Sequence, residues 1–382
     1  MIRKFLKSFA RHGDGRFRVP RLRLQWHITE RCNLRCAHCY QEARPSREIA
    51  FKELLTVVGQ FKDLLTALGN QAGGGPARGH ITVTGGEPFV RRDFLDLLEV
   101  FSANRSRFSF AILTNGSFID AAMARHLHQL RPSYVQVSIE GGPATHDRIR
   151  GRGNYERTVS AVKHLVRERL RTLISFTAHR LNFREFADVA RLGRQLGVAR
   201  VWADRLIPQG NATTIGDQAL TPQETLEFFR IMRQARNETT RCWFNQTEIA
   251  MHRALQFLEG GAPYHCTAGD TLITVQPNGD LYPCRRMPIR VGNIMETPLV
   301  DLYFRSDLFR ALRNRNRVNK GCQDCFYRGL CRGGLKCLSF AMTSDPFQAD
   351  PGCWLVSTDK RVNRFENEVS ISYVQPVTGA EG

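Results

Sequence analysis

Gln25-Trp-His-Ile-Thr-Glu-Arg-Cys32-Asn-Leu-Arg-Cys36-Ala-His-Cys39-Tyr40 is the stretch on which the reading of this chain turns. Three cysteines fall within eight residues, and the next in the chain is Cys242. Thiolates are soft ligands that suit iron–sulfur clusters or zinc, and such sites normally draw about four ligands. This loop supplies three. On a [4Fe-4S] cluster the missing thiolate would leave one iron open to a ligand that is not protein. On zinc, His38 would make the fourth bond. A reduced cysteine group without function is the third reading, and these residues alone leave all three open.

Working outward, residues 22–28 alternate like a strand that delivers the cysteine loop at its C-terminal end. Residues 49–68 have helical periodicity and stop at Gly69, where glycine supplies a helix end. A strand over 80–84 then meets Gly85-Gly86-Glu87-Pro88 and a helix over 92–103. Strand 108–113, the turn Thr114-Asn115-Gly116, helix 119–130 and strand 134–139 continue the alternation. Two more units follow, helix 155–169 with strand 172–179 and helix 183–196 with strand 200–206. Strands alternating with helices imply an α/β fold with a parallel sheet of about six strands. The expected architecture is a partial (β/α)6 TIM-like barrel, open, with its chemistry at the strand C-terminal ends. Cys32, Glu87, Asn115 and Ser138 all fall at or just after such an end.

At 382 residues the chain has room for one large domain and a smaller one. The expected division is a basic lead-in over 1–20, the barrel over 21–210, a helical linker over 211–262, a cysteine-rich domain over 263–357 and a tail over 358–382. Apolar runs stay well short of the ~18 residues of a membrane span, and the first twenty residues lack a signal-peptide core. A cytoplasmic protein is therefore expected, in which eleven cysteines serve metal rather than disulfides. The formal net charge of +19 favours anionic partners. A high-arginine background explains it as readily as docking of an acidic macromolecule. Arginine gathers at 11–23 and 310–320.

Cys32, Cys36 and Cys39 in C-x3-C-x2-C spacing, closed by Tyr40, resemble the cluster loop of the radical S-adenosylmethionine (SAM) enzymes. In that family the open iron chelates the amino and carboxylate groups of SAM. One electron then splits SAM into methionine and a 5′-deoxyadenosyl radical, which abstracts a substrate hydrogen. Gly85-Gly86-Glu87-Pro88 matches the family motif that grips the SAM amino group. The resemblance implies that Ser138 and Glu140, in Ser138-Ile-Glu140-Gly-Gly, lie beside the ribose and methionine parts, and that Arg150 faces the carboxylate. A guanidinium suits that task because its fork bonds a carboxylate through two hydrogen bonds. Tyr40 and Asn115 complete the implied cofactor-binding set. Asp204-Arg205 reads equally as a contact to SAM or substrate and as a structural ion pair.

Residues 269–283 form two alternating strands about an Asn278-Gly279 hairpin turn, flanked by Cys266 and Cys284. With Cys322-Gln-Asp-Cys325, Cys331-Arg-Gly-Gly and Asp350-Pro-Gly-Cys353-Trp, this is similar to the SPASM domain, which carries auxiliary iron–sulfur clusters. The resemblance implies Cys322, Cys325, Cys331 and Cys353 for one auxiliary cluster, and Cys266 and Cys284 for the other. Two usual ligand positions hold Leu272 and Leu335 instead, with Cys337 two residues beyond the second. The first auxiliary cluster is then expected to use Cys337, to borrow Cys242, to keep an open site, or to be smaller or absent. Zinc is the alternative for these pairs.

The resemblance implies oxidative maturation of a ribosomally made peptide or protein side chain, through a crosslink, thioether or related product. The positive surface would guide an acidic leader, docked on this body or a partner because no leader-binding domain fits ahead of Arg21. A flavodoxin or ferredoxin would supply the electron. Haem or quinone cofactor synthesis is the second reading. Sulfatase maturation is disfavoured by Arg285, where that subfamily has aspartate, and molybdenum-cofactor synthesis by the ending Gly379-Ala-Glu-Gly382. A metalloprotein that binds nucleic acid without catalysis is the reading of another class, motivated by charge alone.

Overall fold

Leu22, Leu24 and Trp26 are buried while Arg23 stays exposed. That alternation, set by the two-residue repeat of a strand, fixes β1 over Leu22–His27 with one face in the core. The computed structural model describes residues 21–41, 47–73, 75–240 and 247–356. The basic lead-in, Cys242 and the tail lie outside the described residues.

Five further β-strands follow in the same direction: β2 (Gly79–Thr84), β3 (Phe108–Thr114), β4 (Val135–Ser138), β5 (Thr172–Ala178) and β6 (Arg200–Arg205). Each pairs in parallel with its predecessor. The crossovers are α1 (Phe51–Gln71), α2 (Phe94–Ala103), α3 (Ala121–Leu130), α5 (Asn154–Arg167) and α6 (Phe186–Leu196), with a short α4 (Pro143–Arg150) after β4. In α1 the buried residues Leu54, Val57, Val58, Phe61, Leu64 and Leu65 repeat every three to four positions, the spacing of one helical face. Burial of each large side chain there contributes about 1.5–3 kcal/mol. Asp120 caps α3 by accepting from the Met123 N–H at 2.7 Å.

The six-stranded parallel arrangement is as expected, and the sheet is not closed. Its order runs on at both edges, to ten strands among the described residues. Beyond α7 (Pro222–Thr240), β7 (Glu248–Ala250) adds in parallel to β6, a strand the sequence reading missed because three residues carry almost no periodic signal. At the other edge β8 (Leu272–Val275) pairs in parallel with β1. The antiparallel β9 (Asp280–Tyr282) and β10 (Gly292–Asn293) follow it. The Asn278-Gly279 hairpin thus forms as expected, and it continues the barrel sheet. The remaining helices are α8 (Leu299–Arg305), α9 (Asp307–Arg313), α10 (Arg328–Cys331) and α11 (Lys336–Thr343). No helix among the described residues is long and apolar enough to cross a membrane.

Candidate active site

The cysteine loop is tied by backbone hydrogen bonds to three other strand-end loops. Glu87 N–H donates to Arg31 O at 2.9 Å, Ala37 N–H to Ile149 O at 3.0 Å, and Ala212 N–H to Cys39 O at 3.0 Å. The loop after β1 is thereby held against those that follow β2, β4 and β6. Gly85 and Gly86 make this packing feasible. A Cβ on Gly86 would meet the Arg31 carbonyl, and one on Gly85, whose φ is +153°, would meet that of Thr29. The glycines therefore first answer the approach of the cysteine loop itself.

A cavity of about 640 Å³ opens at the C-terminal ends of the strands, in the size range of small-molecule sites. Cys32, Cys36, Cys39, Tyr40, Gly85, Gly86, Asn115, Ser138 and Arg150 line it. Two of the expected site residues stand behind its wall. Glu87 is fully buried and accepts from the Asn115 N–H at 2.7 Å, the Thr114 hydroxyl at 2.8 Å and the Phe89 N–H at 3.3 Å. Burial outweighs these donors and lifts its pKa to about 7. Glu140, also without exposure, accepts from Arg150 Nη2 at 2.6 Å and from the Thr177 N–H at 2.7 Å, and lies 3.0 Å from His38 Nε2. Its carboxyl sits well below the usual range: burial pushes it up, and the charge on Arg150 overrides that. Both oxygens of Glu140 are thus taken by protein groups. It positions Arg150 and His38 rather than facing the cavity, because a buried carboxylate without such partners is prohibitively costly.

Arg150 closes α4 with Nη1 3.9 Å from Cys36 Sγ. Asn115 Nδ2 donates to Asn33 Oδ1 at 2.9 Å and lies 3.9 Å from Cys32 Sγ. The Ser138 and Ser175 hydroxyls are 3.1 Å apart on the cavity wall. Ser175, Gln136, Thr177 and Trp202 line the same cavity without any sequence motif to mark them. Asp204 and Arg205 prove to be ion-paired to the C-terminal region. Arg286 Nη2 lies 2.6 Å from Asp204 Oδ2, and Arg205 makes two bonds to Asp350, at 2.8 and 2.6 Å. Arg205 and Asp350 side chains are 2% and 1% exposed, so this clamp between barrel and C-terminal part is almost wholly buried.

The C-terminal cysteines gather in two places. Cys322, Cys325, Cys331 and Cys353 surround a small second cavity. Burial, with the charges of neighbouring thiols and Asp350 adding, pushes Cys331 up to about 12. Cys337, in the first turn of α11, is pushed up by burial; Arg286 opposes this, and Cys284 and Cys266 add to it. Cys266 is likewise raised by burial and then by Cys284. Among the described residues, Cys337 is thus close enough to Cys266 and Cys284 for their charges to act on it. Leu335 caps α11 and donates its N–H to Asp350 Oδ2 at 2.8 Å. Among the described residues no three His, Cys, Asp or Glu side chains converge on one metal ion. Soft donors in threes and fours, wholly or partly buried except for Cys32, are suited to a polynuclear iron cluster whose positive charge offsets the cost of the thiolates.

The Radical SAM superfamily model matches residues 26–193, and the SPASM model, an iron–sulfur cluster-binding domain, matches 266–326. The chain belongs to the radical SAM superfamily. It also carries the SPASM domain. Family chemistry accordingly brings a [4Fe-4S] cluster, SAM and auxiliary iron–sulfur clusters. An AdoMet-dependent heme synthase of Methanosarcina barkeri is 26% identical over 360 residues, 88% of this chain and 96% of that protein. Mycofactocin maturase MftC of Mycolicibacterium smegmatis is 27% identical over 345 residues, 86% of this chain and 82% of that one. In fold, SuiB of Streptococcus suis bound to S-adenosylmethionine matches with a TM-score of 0.68 at 17% identity, over 88% of this chain and 78% of that one.

Proposed function

We propose that this radical SAM enzyme oxidises its substrate by hydrogen abstraction. Cys32, Cys36 and Cys39 would hold the SAM-binding cluster, and Cys322, Cys325, Cys331 and Cys353 one auxiliary cluster. Cys266, Cys284 and Cys337 would hold the other. The cluster with SAM supplies a 5′-deoxyadenosyl radical. The chain's own residues do the rest. Arg150, fixed by Glu140, presents a cation beside Cys36, where the SAM carboxylate would dock. Asn115 and Ser138 offer polar groups to the nucleoside, and the Gly85-Gly86 backbone closes that side. The observation that carries this reading is the convergence of three thiols and one held guanidinium on a single cavity.

For the substrate we favour a ribosomally made peptide or a protein side chain, supported by kinship to a mycofactocin maturase and by a net charge of +19 suited to an acidic leader. The electron would come from a flavodoxin or ferredoxin. The second reading is a tetrapyrrole of the haem type, favoured by heme synthases that match as much of the chain at 26% identity. Anaerobically reconstituted protein, dithionite and SAM should yield 5′-deoxyadenosine. The true substrate should raise that yield and be converted, and either a peptide encoded beside the gene or an iron coproporphyrin would identify its class. Salt-dependent binding to random DNA with no deoxyadenosine would overturn the proposal.

A further inference from the structure

Six guanidiniums line the main cavity, and their partners divide them. Arg31 pairs with Glu48 at 3.0 Å, Arg150 with Glu140 at 2.6 Å, Arg205 with Asp350 at 2.6 Å and Arg286 with Asp204 at 2.6 Å. Arg35 is exposed at the rim, where water solvates it. Arg285 is the remainder. It is half-buried, makes no hydrogen bond or ion pair among the described residues, and has a buried Nε without an acceptor. Its guanidinium carbon stands 5.5 Å from the centroid of the Tyr40 ring.

A half-buried guanidinium without a carboxylate partner is costly, and one near an aromatic ring keeps its planar fork free for a two-oxygen acceptor. Its neighbour Arg286 has spent its charge on Asp204, so the two adjacent arginines are not equivalent. Location adds the second argument. Arg285 follows Cys284, which gathers with Cys266 and Cys337, while Tyr40 follows Cys39. Both side chains line the cavity, and each stands one residue in sequence from a cysteine of one of these groups. A substrate within reach of both groups of cysteines would lie beside this pair.

We propose that Arg285 binds a carboxylate of the substrate and so holds it between the two groups of thiols. This rests on the radical SAM reading above, and it applies to a propionate of a tetrapyrrole or an acidic side chain of a peptide. The test uses the reconstituted holoprotein and compares dissociation constants of paired probes: coproporphyrin III against its tetramethyl ester, and a Glu-rich peptide against its Gln counterpart. The intact protein should prefer the acid form of one pair by at least ~10-fold, the scale of one charge-assisted pair, and that pair names the source. Arg285→Gln should bring the ratio close to one, and Arg285→Lys should keep part of it. Arg184→Gln, on the outer surface, should leave it in place. An unchanged ratio in Arg285→Gln, an equal fall in Arg184→Gln, or no acid preference in the intact protein would each overturn the assignment. Failure of the intact protein to cleave SAM would instead sink the reading beneath it.

Discussion

Cys32, Cys36 and Cys39 stand on one eight-residue loop, whereas Cys266, Cys284 and Cys337 come from the approach to β8, the end of β9 and the first turn of α11. The first group rests on its own spacing and on backbone hydrogen bonds to neighbouring segments. The second depends on the β8–β9 hairpin joining β1 and on α11 being set by Asp350, which Arg205 of the barrel holds from the other side. A locally encoded site tolerates damage elsewhere; a site assembled from distant segments inherits every weakness of the contacts between them.

The largest effect should come from the local group. Cys36→Ala should remove 5′-deoxyadenosine formation altogether, as read by chromatography of anaerobic reactions, while Cys322→Ala should lower bound iron yet leave part of SAM cleavage. Equal loss in both would break the contrast. Next is the clamp: Asp350→Ala strands Arg205 in a buried site and should cost about 3–5 kcal/mol in urea unfolding. A smaller value would mean that the C-terminal part is seated by its apolar contacts alone.

Glu140→Gln tests the support of the local group. With its carboxylate gone, Arg150 and His38 lose their anchor, and deoxyadenosine formation should fall about 10–100-fold, the usual scale for residues that orient a metal site. Retained activity would show that Arg150 needs no orienting partner. The smallest effect belongs to the exposed pair Arg184–Glu227, 2.9 Å apart. Glu227→Gln should change stability by less than about 0.5 kcal/mol, which thermal unfolding would check.

The strand–helix alternation and the three-cysteine spacing were legible because both are written in consecutive residues: period two for strands, period 3.6 for helices, and ligands within one loop. The same holds for the Asn278-Gly279 turn. The sequence by itself thus determined the parallel sheet and put Cys32, Glu87, Asn115 and Ser138 at or just after its C-terminal ends. Tertiary structure alone decided that Glu87 and Glu140 stand behind the cavity, that Asp204 and Arg205 clamp the C-terminal part, that Cys337 comes near Cys266 and Cys284, and that Arg285 is left without a carboxylate partner among the described residues. Each of these outcomes depends on which charged groups meet across long stretches of chain, and no local period records that. A carboxylate reads the same in sequence whether it faces solvent, ligand or a buried guanidinium, and only the packing around it settles which.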